Sequence, residues 1–154
     1  MVNNKININK IKADAEKHYA EGDYYCSEAI VAAFKTNVDV DIPQEAIAMA
    51  SGFPVGIGGA KCVCGAVSGG VMCLGYFFGR VKPKDSKVGK VMALANELLE
   101  SFTTNHRVTC CKILTKGMEL GSPSHIQQCV NFTGEVAKKT AEIVARELGL
   151  EIVE

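Results

Sequence analysis

Tryptophan is absent from this 154-residue chain, and aromatic side chains make up only 6% of it. That leaves little material for a base-stacking surface of the kind that grips single-stranded nucleic acid. An excess of either charge is missing as well. Lys plus Arg and Asp plus Glu both total 17, so no net field steers the protein toward nucleic acid or an anionic membrane. The segment Met1–Lys12, MVNNKININKIK, has neither an apolar core nor a small-residue cleavage site, and it does not read as a secretory signal. The expectation is a cytoplasmic protein in a reducing compartment, where structural disulfides rarely persist. An odd number of cysteines, seven, points the same way.

Several local motifs are also missing. No cysteine pair has C-x-x-C spacing, which counts against a thioredoxin-like motif or a zinc ribbon. C-x-x-C-H is absent, which excludes covalently attached haem, and there is no ferredoxin-type run of close cysteines. The stretch Gly56-Ile-Gly-Gly-Ala-Lys-Cys62 lacks the G-K-[ST] ending of a phosphate loop. Carboxylates form no paired acid/base constellation, and Ser68 has no His and Asp pattern around it that would suggest hydrolysis. Cys62–Phe78 carries no charge and approaches the length of a membrane span. Its four glycines and three cysteines, bracketed by Lys61 and Arg80, fit a tightly packed core helix better.

What remains is helical patterning almost throughout. Ile8, Ile11, Ala15 and Tyr19 recur at helical spacing until Gly22. Asp23 is positioned as an N-cap for a helix with Cys26, Ala29, Ile30, Ala33 and Phe34 on one face. Pro43 opens a short helix ending near Gly52, and an apolar helix follows from about Cys62 to Gly79. Ser86 begins a helix with the stripe Val88, Val91, Met92, Ala95, Leu98, Leu99 and Phe102. A short segment spans Cys110 to Leu114, and Ser122-Pro123 starts a final helix that stops at Gly149. The spacing predicts an all-α, compact single-domain bundle of five to seven helices over residues 1–154. Residues 1–8 are expected to be loosely ordered, and Val38–Ile42 resembles a strand with nothing to pair with.

Cys64 opens the run Cys64-Gly-Ala-Val-Ser-Gly69 at the junction of a Gly-rich loop and the apolar helix. A helix N-terminus there would favour the thiolate and lower the thiol's pKa. Gly65, Gly69 and Gly70 each cost about 1 kcal/mol in a helix interior relative to Ala. Close approach by a neighbouring helix or by a ligand offsets that cost, so Gly65 and Gly69 are candidates for the wall of a cofactor site. Cys73 lies out of phase with Cys64 and reads as a small core residue. Cys26, Cys64, Cys111 and Cys129 sit on four separate segments that a bundle can bring to one point. Cys62 and Cys110 are secondary candidates beside two of them. His125, four residues before Cys129, could share a face with it. His106 stands in the same relation to Cys110, and His18 reads as a surface residue.

The order Cys26 in Tyr-Cys-Ser-Glu-Ala-Ile-Val, the run Cys64–Gly69, Cys111-Lys-Ile-Leu and Cys129 before a long last helix resembles the C-GCAxxG-C-C family of small redox-active proteins. The resemblance covers roughly residues 10–148, nearly the whole chain, and implies that Cys26, Cys64, Cys111 and Cys129 form the functional set; Cys62, Cys73 and Cys110 are additions to the pattern. A related domain occurs with haem and an iron–sulfur site in split-Soret-type cytochromes, and only the cysteine part could transfer here. The leading expectation is an iron–sulfur cluster on those four cysteines that carries electrons to a redox partner protein. One alternative is a cofactor-free thiol–disulfide protein in which Cys64 attacks and Cys26, Cys111 or Cys129 resolves. Another is a structural or sensory domain that holds zinc. No nucleic acid and no membrane insertion are expected, and a homodimer is compatible with this reading.

Overall fold

The computed structural model describes residues 1–154. Seven helices follow one another: α1 Ile8–Ala20, α2 Cys26–Asn37, α3 Gln44–Ala50, α4 Gly65–Phe78, α5 Lys87–His106, α6 Cys111–Leu114 and α7 Pro123–Leu148. Two short strands, β1 Lys5–Ile6 and β2 Glu151–Ile152, pair in parallel. The protein is all-α apart from this ribbon.

The helix ends follow local chemistry. The Asn7 side chain accepts from Lys10 N–H at 2.7 Å to start α1. Ser122 does the same for α7 through His125 N–H, with Pro123 at the first position and Gly149 left-handed at the stop. The second helix starts later than Asp23. Both Asp23 N–H and Tyr24 N–H bond back to the His18 carbonyl, so the chain stays wrapped on the end of α1 and Tyr25 becomes the N-cap. Glu28 completes that cap by accepting from Tyr25 N–H at 3.3 Å. At α5, Ser86 makes no capping bond, and the neighbouring Asp85 carboxylate accepts from Lys87 N–H instead.

α4 lies at the centre, flanked by α2, α5 and α7, while α1 packs along α7. Phe34, Leu74, Leu98, Phe102, Val136 and Ile143 are fully buried between them. The buried stripe of α5 is Leu94, Leu98 and Phe102, with Met92 65% exposed. This is narrower than the expected stripe, because α5 meets the bundle only on the side of α4 and α7. The bidentate pair of Arg146 with Glu97, both bonds 2.8 Å, fastens α7 to α5 on the outside.

Residues 1–8 are not loosely ordered. Ile6 is 1% exposed, Val2 forms a bridge with Asp39, and the amino group of Met1 pairs with Asp39 and Asp41. Ile6, Ile8 and Ile11 deliver apolar side chains to the core, and their burial holds the segment in place. The apparent lone strand at Val38–Ile42 is accounted for by the same bridge. No helix is long and apolar enough to cross a membrane.

Glycines in α4 set how closely its neighbours approach. A Cβ on Gly69 would lie 2.8 Å from both Cα and O of Ser27, so the α2 backbone occupies that space. A Cβ on Gly75 would meet nothing within 4 Å. Gly69→Ala is therefore expected to destabilise the fold by about 1–3 kcal/mol through overpacking. Gly75→Ala should be neutral or stabilising by up to about 1 kcal/mol from helix propensity. Urea unfolding of both variants checks the contrast.

Candidate cysteine centre

The loop between α3 and α4 is wound on its own backbone. Ile57 N–H bonds to Phe53 O at 2.8 Å and Cys62 N–H to Gly56 O at 2.9 Å. Val55, Ile57 and Lys61 join Gly56, Gly58 and Gly59 at positive φ. A Cβ on Gly56 would strike the backbone of Lys61 and Cys62 at 2.3–2.7 Å, so glycine is required there. The loop ends in an isolated antiparallel bridge, Val63 opposite Cys110. Cys64 N–H bonds to Thr109 O at 2.7 Å and Lys112 N–H to Lys61 O at 2.9 Å. This clasp joins two cysteine-bearing segments almost fifty residues apart.

From the clasp, Cys64 becomes the N-cap of α4. The N–H groups of Ala66 and Val67 point at its sulfur and favour the thiolate, but burial outweighs them and pushes the thiol up to about 11. The helix-terminal position expected of Cys64 is correct, and the lowered pKa expected with it is not. Cys26 is the first residue of α2 and is buried. Its Sγ lies 2.6 Å from where a Gly65 Cβ would be, so Gly65 is the opening that admits the Cys26 thiol against α4. Burial also drives the Cys26 thiol strongly upward.

Cys111 begins α6, and burial raises its thiol although Thr115 and Lys61 act in the opposite direction. Cys129, on α7, is only half-buried. Burial raises its thiol, and the Tyr19 side chain opposes the shift. His125 Nε2 lies 3.5 Å from Cys129 Sγ. The Gly121 N–H donates to His125 Nδ1 at 3.1 Å, so the neutral ring carries its proton on Nε2 and donates it toward the sulfur.

These four thiols influence one another electrostatically. Cys26 is coupled to Cys64 and Cys129, Cys64 to Cys111 and Cys129, and Cys129 to Cys111. Cys26, Cys64, Cys111 and Cys129, on four segments, thus lie within electrostatic range of one or more of the others. All seven cysteines are free, and no three His, Cys, Asp or Glu side chains are gathered tightly enough to hold a single metal ion. Cys62 is exposed, and the Cys110 thiol lies 3.7 Å from the Lys61 carbonyl. Cys73 is 2% exposed in the core. His106 pairs with Glu135 at 2.6 Å rather than with Cys110, and His18 lies beside Asp23. Gly69 faces the backbone of Ser27 and not a cofactor space. Tyr19 is the contributor that the sequence did not disclose. It lies on α1, outside the cysteine motifs, and the packing of α1 on α7 brings it near Cys129.

An all-helical fold that gathers thiols from separate helices defines a cysteine-centred protein. The sequence model of the family described as "Putative redox-active protein (C_GCAxxG_C_C)" matches residues 24–143, and the chain belongs to that family. No curated protein and no solved structure matches the chain.

Burial orders the thiols by access. In the reduced native protein, a maleimide should modify Cys62 first, then Cys110 and Cys129. Cys26, Cys64, Cys73 and Cys111 should stay protected until the fold opens. Peptide mass mapping over a labelling time course reads that order.

Proposed function

We propose that this protein is an electron carrier whose redox centre is an iron–sulfur cluster held by Cys26, Cys64, Cys111 and Cys129. The observation that carries the reading is that Gly65, next to Cys64 at the start of α4, clears the way for the Cys26 sulfur, while the clasp ties the segment of Cys111 to that of Cys64. Three of the four are buried. Exchange with a partner's disulfide requires an attacking sulfur that the disulfide can reach, so enclosure favours a bound cofactor over a cofactor-free dithiol. Thiolate donors are the ligands iron–sulfur clusters take, and no carboxylate lies among these four.

When bound, the cluster would supply one-electron transfer at a potential set by burial and by hydrogen bonds to its sulfurs. The chain's own residues supply the rest. Cys64 presents its sulfur at the first turn of α4, the clasp fixes Cys111 beside it, and the apolar core excludes water. The cytoplasm, where such thiols stay reduced, is the compartment that suits this reading.

Protein purified without oxygen should show broad visible absorption together with iron and acid-labile sulfide. Cys64→Ala should lose the absorption and at least nine-tenths of the iron, while Cys73→Ala should keep both. Retention of the cluster in Cys64→Ala would falsify the ligand assignment. Protein that holds neither iron nor sulfide, even after reconstitution with both, would sink the cluster itself.

A further inference from the structure

Cys62 is the one exposed cysteine of the chain, and the clasp sets it across from Cys111. Val63 and Cys110 form the antiparallel bridge, flanked by the bonds Cys64 N–H to Thr109 O and Cys111 N–H to Cys62 O, the latter at 2.5 Å. The bonds flank the bridged pair, so the next step along the ladder opposes Cys62 to Cys111. Residues opposed across a hydrogen-bonded step have Cα atoms about 5.5 Å apart. A disulfide spans Cα separations of about 4.4–6.8 Å, so the backbone already stands at bridging distance. Alternation along the two segments assigns Cys62 and Cys111 to one face of the clasp, and Val63 and Cys110 to the other. The Cys110 thiol is turned instead to the Lys61 carbonyl, 3.7 Å away. Access to the opposed pair is unequal, since Cys62 is open to solvent and Cys111 is 8% exposed.

We infer that Cys62 is a modification site for small disulfides of the glutathione type, and that Cys111 resolves the adduct into a Cys62–Cys111 disulfide across the clasp. Two exchanges make the bond. The Cys62 thiolate first attacks one sulfur of glutathione disulfide. The glutathione S–S bond breaks, and one glutathione leaves with the proton that Cys62 gave up. The Cys111 thiolate then attacks the Cys62 sulfur, and the second glutathione leaves in the same way. Two protein thiols are oxidised and one glutathione disulfide is reduced to two thiols. Exposure gives the first exchange to Cys62, because the attacking sulfur must be reached. Opposition gives the second to Cys111, because a thiol held beside the mixed disulfide outcompetes one in solution. Disulfides of this kind in a reducing compartment are transient and redox-sensing rather than structural. The inference rests on the proposed centre only for its consequence, since Cys111 in the disulfide is withdrawn from the cluster. The bond itself can be read without the cluster.

The probe is glutathione disulfide, applied to the full chain reduced and free of metal, with its fold checked by circular dichroism. Intact mass should show a one-glutathione adduct that gives way to protein free of glutathione and lighter by two hydrogens. Non-reducing digestion and peptide fragmentation should then join Cys62 to Cys111. Dithiothreitol should restore the starting mass. Cys62→Ser should abolish the product and leave Cys111 unmodified, while Cys110→Ser should close as the wild type does. Cys111→Ser should stop at the adduct on Cys62. Cys111 is buried and its replacement can cost the fold, so Cys62→Ser and Cys110→Ser, at more open positions, carry the test without it.

An adduct on Cys62 that persists in the wild type would overturn the pair. So would a bond from Cys62 to Cys110 or Cys64, or oxidation of Cys111 at an unchanged rate in Cys62→Ser. In cluster-loaded protein Cys111 is engaged, and closure should be at least about tenfold slower than in the metal-free chain. Closure in protein that cannot take up a cluster supports the pair and defeats only the cluster reading. Closure at the metal-free rate with the cluster retained supports the pair and defeats only Cys111 as a ligand. A protein that loads its cluster but whose metal-free form never closes defeats only the pair.

Discussion

The near-contact of α2 with α4 is the constraint on which the rest of the molecule depends. Gly69 lets the Ser27 backbone approach, and one turn earlier Gly65 lets the Cys26 sulfur in. With side chains at these positions the two helices would have to separate, and the first thiol would leave the second. Gly70, on the adjacent face, receives Leu98, Val136 and Thr140, so α5 and α7 are also drawn toward α4. The glycines of the Cys64–Gly69 run therefore do two kinds of work. One sets the spacing of the bundle, and the other makes room for a thiol.

A second constraint is the clasp between the wound loop and the segment before α6. Three main-chain bonds, from Cys64, Cys111 and Lys112, hold segments that are distant in sequence. They decide which member of each neighbouring cysteine pair turns inward. Cys64 and Cys111 are buried, Cys62 is exposed and Cys110 is only half-buried. Non-glycine residues at positive φ (Val55, Ile57 and Lys61) are ordinarily disfavoured, branched ones especially. The loop accepts that strain because its own backbone bonds and the clasp leave it no relaxed alternative.

Much of the fold was legible because its signals are local. Pro43, Ser122-Pro123 and Gly149 mark helix ends by their own chemistry, and the apolar spacing of α1 and α7 needs no partner to be read. Asp23 misled because main-chain bonds to His18 O, a tertiary detail of the turn, took precedence over capping propensity. The α5 stripe misled because apolar residues on a surface helix do not all face the core; Met92 and Leu99 are outside. The four cysteines of the proposed centre were named from their order. The net ionisation of Cys64 was not readable, because a helix terminus is visible in sequence and burial is not. Tyr19 was invisible for the same reason, since its partner lies on a helix more than a hundred residues away.

The packing of α1 on α7 and the pairing of β1 with β2 have a consequence for the order of folding. They join residues near 5–20 to residues near 123–152, separations that span most of the sequence. Contacts of such long range form late, because a long loop must close before they are gained. On a ribosome, α2, α4 and the clasp can assemble while α7 is still unmade. Its arrival delivers Cys129 and the α1 packing together.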